Sequence, residues 1–126
     1  MTTIAYDLKT IAFDSRATSD GVINSDEYLK IYYRDSLTFI LCGDFVGIKH
    51  FVSDYEFGAK TKIRNCGGFL VRDGKVFMVC VYEGLFSEWE VTYKWGDGSG
   101  RDWAVSAMDH GKSAAEAVAF AITRDS

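Results

Sequence analysis

The order of the predicted elements along this sequence indicates a layered α+β domain. Short apolar segments with the pattern of β-strands come first, one short helical stripe interrupts them, and two helical stretches close the chain. The chain has 126 residues, of which 48% are hydrophobic and 15% aromatic. This size and composition suffice for one real core, so we expect residues 1–126 to form a single domain.

The first part of the chain predicts a short hairpin followed by a loop. Residues 7–10 carry turn signals, and residues 11–13 form an apolar return strand. Residues 17–27 are polar and rich in Asn, Asp and Ser, which predicts a loop. Residues 2–8, at the start of the chain, alternate as in a half-buried strand, with one side made of Thr2, Ile4, Tyr6 and Leu8.

The middle of the chain predicts two strand pairs on either side of a helix. Residues 28–33 and 37–42 form the first pair, and residues 45–55 have apolar side chains at roughly helical spacing. Residues 69–71 and 76–82 form the second pair, around an Arg-Asp-Gly-Lys turn. Only one short helix fits between the two pairs.

The last third predicts one or two strands and then two helices. Residues 85–95 contain the strand pattern, and residues 96–100 are a glycine-rich turn. A helix then begins near Asp102 and breaks near Gly111. The second helix opens with the capping box Ser113-Ala114-Ala115-Glu116.

The charge and the cysteines exclude several classes of protein. The net charge is −4, from 18 acids and 14 bases without a basic run, which argues against nucleic-acid binding. No apolar run is long enough for a membrane span, and the start lacks the features of a signal peptide. Cys42, Cys66 and Cys80 lack C-x-x-C spacing, and with His50 and His110 they show no metal-ligand spacing. We therefore expect a cytoplasmic protein with reduced thiols and no metal or cofactor.

The first 30 residues contain the candidate chemistry. If Met1 is removed, Thr2 carries a free α-amine and a hydroxyl on one residue. Free α-amines titrate near pH ~7.7–8.0, so such an amine can take the proton of a neighbouring hydroxyl. Asp14 and Lys30 follow 16 residues apart.

At these residues the sequence resembles the proteasome-type N-terminal nucleophile hydrolases. Thr2-Thr3-Ile4 is similar to the mature start of the family, and Asp14-Ser15-Arg16-Ala17-Thr18 to its Asp-Ser-Arg-Ala-Thr element, with Lys30 at the family spacing. The resemblance implies the four-layer αββα sandwich of that family. Here it would be reduced in one helical layer and would lack the last strands.

The resemblance also implies a role for each candidate residue. Thr2 would be the nucleophile, and nearby Lys30 would favour the neutral form of its amine. Asp14 would hold Lys30 by a charged hydrogen bond. Ser99, within the family-like Gly-Ser-Gly, and Asp125, after Arg124 as in the family, would hydrogen-bond around the amine.

Three further residues are assigned by the same resemblance. The backbone N–H of Gly43 would form the oxyanion hole. The Thr18 backbone would pair with an extended substrate. Cys42 would lie near the floor of an apolar specificity pocket.

Each residue also has a purely structural interpretation. Thr2 can simply start a strand, Lys30 can be a surface lysine, and Asp14 can be a strand-ending acid. The remaining candidates have equally plain alternatives: a turn glycine at Gly43, a flexible turn at Ser99 and a frayed C-terminal acid at Asp125. Under the catalytic interpretation, we expect Lys30→Ala to abolish hydrolysis and leave the fold intact.

The sequence thus predicts a threonine peptidase that acts on peptides or unfolded proteins. The resemblance implies a homo-oligomeric ring and an ATPase unfoldase as a candidate partner, without nucleic acid or membrane. The alternative is a degenerate relative that keeps the fold and acts by binding, as an inhibitor, decoy or assembly factor.

Overall fold

The computed structural model describes residues 3–14, 17–19, 22–25 and 30–124. The described strands are β1 Ile4–Tyr6, β2 Ile11–Phe13, β3 Ala17–Ser19, β4 Val22–Ser25, β5 Ile31–Arg34, β6 Leu37–Gly43, β7 Cys66–Arg72, β8 Lys75–Tyr82, β9 Leu85–Glu90 and β10 Trp95–Asp97. The described helices are α1 Phe45–Asp54, α2 Arg101–Asp109 and α3 Ala114–Arg124.

The described strands form antiparallel sheets in the orders β10-β1-β2, β3-β4 and β5-β6-β7-β8-β9. Mixed helices and antiparallel sheets are compatible with the predicted α+β class, whereas the four-layer arrangement stays a prediction. The chain divides into two compact units. Met1–Lys30 with Thr92–Ser126 is called the terminal unit, and Ile31–Val91 the central unit.

In the terminal unit, β1 is the middle strand of its sheet. It pairs with β10 and β2, so that Ile4 lies opposite both Asp97 and Phe13. Small side chains let α2 and α3 pack closely on this sheet. The core that they form consists of Ala5, Ala104, Met108, Ala114, Ala117, Val118 and Ala121.

The structure corrects the predicted first strand. Thr3, Ile4 and Ala5 are all fully buried, so both faces of β1 are covered and the half-buried alternation of residues 2–8 is wrong within the described part. Leu8, counted with the buried side of that strand, is exposed. It lies in the predicted turn over residues 7–10, which is confirmed, with a φ of 78°. A central strand covered on both faces shows no alternation of burial, which is the physical reason for the difference.

Asp7 directly follows β1 and connects the turn between β1 and β2 to α3. Its carboxylate accepts the N–H groups of Lys9 at 2.9 Å, Thr10 at 2.7 Å and Ala114 at 2.8 Å. Burial alone would raise the pKa of Asp7, but these N–H groups, led by that of Ala114, lower it below the ordinary value. One side chain therefore fixes both the hairpin turn and the first residue of α3.

The predicted capping box at α3 is confirmed. The Ser113 N–H donates to the Glu116 carboxylate at 3.0 Å, and the Glu116 N–H donates to the Ser113 hydroxyl at 3.2 Å. The predicted loop over residues 17–27 is not confirmed, because β3 and β4 pair there, with a register shift between Ala17 and Thr18. Polar composition indicates a turn but does not reveal backbone pairing across it.

In the central unit, α1 packs on one face of the five-stranded sheet. The predicted helix and both predicted strand pairs are confirmed, although β5 begins at Ile31 and residues 28–29 lie outside the described residues. Aromatic rings dominate the core, and the Phe51 ring meets the Phe86 ring edge-on at 5.2 Å. The buried cluster contains Phe39, Leu41, Ile48, Phe51, Tyr55, Cys66, Leu70, Val79 and Phe86.

Candidate functional site

Lys30 and Asp14 form a buried ion pair in the terminal unit. The Lys30 side chain is 2% exposed, and its ammonium lies 2.9 Å from the Asp14 carboxylate and donates to the Asp14 carbonyl oxygen at 2.9 Å. Lysines are almost never fully buried unless they are paired. The interpretation of Lys30 as an ordinary surface lysine is therefore wrong.

Asp14 also holds the backbone of Thr3 on both sides. The Thr3 N–H donates to the Asp14 carboxylate at 3.1 Å, and the Asp14 N–H donates to the Thr3 carbonyl at 3.0 Å. The antiparallel register of β1 and β2, in which Ile4 lies opposite Phe13, brings Thr3 and Asp14 together. Because Thr3 follows Thr2 in the chain, the ion pair is anchored one residue from the candidate nucleophile.

The burial of the pair corrects the expectation that Lys30→Ala leaves the fold intact. Removing one partner of a buried ion pair leaves an uncompensated charge, which costs about 3–5 kcal/mol. Since both side chains are at most 2% exposed, Asp14 would lose its cation in surroundings that are largely shielded from solvent. Loss of Lys30 is therefore expected to weaken the fold as well as the chemistry.

Two oxygen atoms, one in this pair and one beside it, are buried without a hydrogen-bond partner among the described residues. They are the Thr3 hydroxyl and the second carboxylate oxygen of Asp14. Buried polar atoms are normally satisfied, and the exceptions concentrate at sites whose demands differ from those of a packed core. The polar groups here are thus not explained by stability alone.

The glycine-rich turn before α2 brings Ser99 into the same unit as the ion pair. Ser99 is exposed, and the next residue, Gly100, is buried directly against the Thr3 side chain. The structure therefore collects Thr3, Asp14, Lys30 and the turn that carries Ser99. Sequence reasoning missed Thr3 and Gly100; their only signals are their positions beside Thr2 and Ser99.

Gly43 and Cys42 lie in the central unit, at the end of β6. Gly43 has a φ of 137°, and a Cβ there would lie 2.2 Å from the Asn65 carbonyl oxygen. Strand pairing therefore requires a glycine irrespective of any substrate. The buried Cys42 thiol donates to the Gly67 carbonyl at 3.5 Å. Its neighbour Leu41 belongs to the core under α1, so Cys42 points to the opposite face of the sheet. The roles in the oxyanion hole and the specificity pocket stay predictions.

The remaining candidates lie wholly or partly outside the described residues. Thr2 and Asp125 are not described, and neither is the side chain of Thr18. The Thr18 backbone lies opposite Ile23 in the β3–β4 pair. The predicted roles of these residues are untested.

The described residues contain no group of three or more His, Cys, Asp and Glu that could hold a metal ion. Cys42, Cys66 and Cys80 form no disulfide. Over residues 3–14, 17–19, 22–25 and 30–124, no helix has both the length and the apolar content needed to cross a lipid bilayer.

Comparison with solved structures relates this fold to that of a bacterial proteasome-like protein, Thiobacillus denitrificans BPH. The structure of BPH matches with a TM-score of 0.62 and 15% identity, over 97% of this chain and 87% of that chain. BPH in complex with epoxomicin matches with a TM-score of 0.61 and 13% identity, over the same shares. This chain has the fold of BPH. No protein-family model and no curated protein matches the sequence.

Proposed function

We propose that this protein is a threonine-type peptidase whose nucleophile is Thr2 after removal of Met1. The main support for the proposal is the buried Asp14–Lys30 pair, in which Asp14 forms two hydrogen bonds with the backbone of Thr3. A well-packed apolar pair is often as stable as a buried ion pair or more so, so folding alone gives little reason to keep these charges. In the proposed mechanism the charges act on Thr2, which precedes Thr3 in the chain and would supply both the hydroxyl and the free amine.

In the proposed reaction, the Thr2 amine takes the proton of the Thr2 hydroxyl, and the oxygen attacks a peptide carbonyl. The Lys30 ammonium favours the neutral, basic form of the amine, and Asp14 holds Lys30 in place. The amine then protonates the leaving group, and water releases the acyl-enzyme.

Five other residues complete the proposal. Ser99 and Asp125 hydrogen-bond around the amine and orient it. The Gly43 N–H stabilises the negative charge that develops on the carbonyl oxygen. Thr18 and Cys42 contact the substrate as the resemblance implies. BPH, which has the same fold, has been observed in complex with epoxomicin, so epoxomicin is a candidate ligand for this protein as well.

Intact-mass spectrometry with a peptide vinyl sulfone and, in parallel, with epoxomicin tests the proposal. We expect Met1-free protein to gain the mass of one inhibitor molecule, mapped to Thr2. Thr2→Ala should gain none. Thr2→Ser should still gain the inhibitor, more slowly than the wild type, because it keeps a hydroxyl and an amine. Thr10→Ala, which removes an exposed hydroxyl from the same unit, is the matched control and should react like the wild type.

Protein that retains Met1 should not react, because an amide nitrogen is not a base at neutral pH. Equal labelling of the Met1-retaining and Met1-free forms would exclude the mechanism. Absence of both labelling and fluorogenic peptide hydrolysis would favour the alternative, a protein that acts by binding.

We also propose that the active form is a homo-oligomeric ring that receives unfolded substrate from an ATPase partner. Large apolar side chains are strongly exposed, and proteins usually cover such surfaces. The edge of β9 is only partly paired, through Gly58 N–H to Phe86 O and Phe86 N–H to Ala59 O, both at 2.9 Å. Among the described residues, the most exposed large apolar side chains are Leu8, Tyr33, Phe45, Val46, Phe57, Tyr82, Trp89, Tyr93 and Trp103.

Light scattering across a dilution series is expected to give a mass several times that of one chain. The signal should fall toward the monomer mass at low concentration if assembly is reversible. A monomer that persists at high micromolar concentration would contradict the ring.

A further inference from the structure

Gly100 is a glycine for a reason other than its backbone conformation. It is the residue before α2, with φ −90° and ψ 8°, which any L-residue can adopt. It is also buried. Alanine at this position is therefore permitted by the backbone, and what forbids it must be a neighbouring atom.

The neighbouring atoms belong mainly to Thr3. A Cβ on Gly100 would lie 2.0 Å from the Thr3 hydroxyl oxygen and 3.2 Å from the Thr3 Cβ. The next atom, the Ala121 Cβ, is 3.3 Å away. The contact with the hydroxyl oxygen is far inside van der Waals distance, whereas the other two require shifts of only a few tenths of an ångström.

Thr3 has little freedom to give way. It is fully buried, and rotation of its β-branched side chain about the Cα–Cβ bond is restricted by the atoms packed around it. Asp14 holds its N–H at 3.1 Å and its carbonyl at 3.0 Å. An added methyl group at Gly100 must therefore push the Thr3 backbone, and the covalently attached Thr2 moves with it.

We propose that Gly100 is a positioning residue: the space left by its missing side chain seats Thr3, and through Thr3 it sets the position of Thr2 relative to Asp14 and Lys30. The inference rests on the proposed function for its catalytic consequence but not for its geometry. Within the part of the chain that the structure describes, the Thr3 hydroxyl has no hydrogen-bond partner, and the role proposed for it here is steric.

A double-mutant cycle between Gly100→Ala and Thr3→Ala tests this proposal. We expect Gly100→Ala to slow inhibitor addition to the folded protein by at least ~10-fold, since displacement by about 1 Å can cost ~100-fold. Thr3→Ala removes the hydroxyl, so the double variant should react within ~3-fold of Thr3→Ala alone. Gly47→Ala is the control, because its Cβ would meet nothing closer than 3.8 Å.

Amide NMR supplies a readout that does not depend on activity. In Gly100→Ala the Thr3 and Asp14 amide signals should shift, and in the double variant they should return to the positions seen in Thr3→Ala. If the wild type does not react with the inhibitor, the proposed function fails while this spectral cycle still decides the seating of Thr3.

Three results would overturn the proposal. One is a Gly100→Ala protein that reacts as fast as the wild type, and another is unshifted Thr3 and Asp14 signals in that variant. The third is a double variant as impaired as Gly100→Ala, which would show that the effect does not pass through Thr3. If Gly100→Ala does not fold, a double variant that folds and reacts like Thr3→Ala upholds the proposal, and one that does not fold rejects it.

Discussion

Lys30→Ala is expected to lower the free energy of unfolding by about 3–5 kcal/mol and to abolish inhibitor addition at Thr2. The loss of stability follows because the Asp14 carboxylate would stay buried after its cation at 2.9 Å is removed. The loss of reactivity follows because the Thr2 amine would lose the charge that favours its neutral form. Urea unfolding measures the first effect, and intact-mass labelling of the folded fraction measures the second.

A double variant separates the two effects. Lys30→Met with Asp14→Asn removes both charges, so it should recover much of the stability and none of the reactivity. Lys30→Arg should recover little of either, because the guanidinium is bulkier and differs in hydrogen-bond geometry. The exposed Lys9→Ala is the control. Unaltered labelling of folded Lys30→Ala would remove Lys30 from the site.

Glu88→Ala is expected to destabilise the central unit by about 3 kcal/mol, because it leaves two partners unpaired. Glu88 accepts the Tyr55 hydroxyl at 2.5 Å and both terminal nitrogens of Arg72, at 3.1 and 2.5 Å. Tyr55 is part of the aromatic core, so the network joins the edge strand β9 to the residue after α1. Glu90→Ala, an exposed change on the same strand, is the control and should cost under ~0.5 kcal/mol.

The same network predicts a pH dependence in the acid range. The hydrogen bond from Arg72 lowers the pKa of Glu88 below its ordinary 4.5, against the opposing effect of burial, and Tyr55 lowers it further. A carboxyl whose pKa is lower in the folded state stabilises the fold above its unfolded pKa. This contribution should disappear as the pH falls from about 4.5 through the folded pKa.

In the alkaline range the network predicts the opposite dependence, a loss of stability as the pH rises. Burial, then the hydrogen bond to Glu88 and its charge, raise the pKa of Tyr55 above the ordinary 10.0. Its contribution should therefore be complete below pH 10.0 and decrease as the pH rises toward the folded pKa. Urea midpoints of wild type and Glu88→Ala across both ranges test this, and parallel curves would contradict the role of the network.

Features of this protein that depend on neighbours in the chain were determined by the sequence itself. The turn between β7 and β8, the helical stripe of α1 and the capping box of α3 use residues a few positions apart, so their signals are local. The pairing of Asp14 with Lys30, 16 residues apart, was implied by the resemblance to the proteasome-type hydrolases and not by a local signal. One local signal was missed: Asp44, whose carboxylate caps α1 by accepting the Gly47 N–H at 3.3 Å.

Features that join distant parts of the chain were decided only by the tertiary structure. The burial of Lys30 depends on Asp14 and the fold around them, and the need for glycine at Gly100 depends on Thr3, which is 97 residues earlier. The Tyr55–Glu88 hydrogen bond joins residues 33 positions apart. Because side-chain burial and close contacts arise from packing between elements, no local pattern of the sequence specifies them.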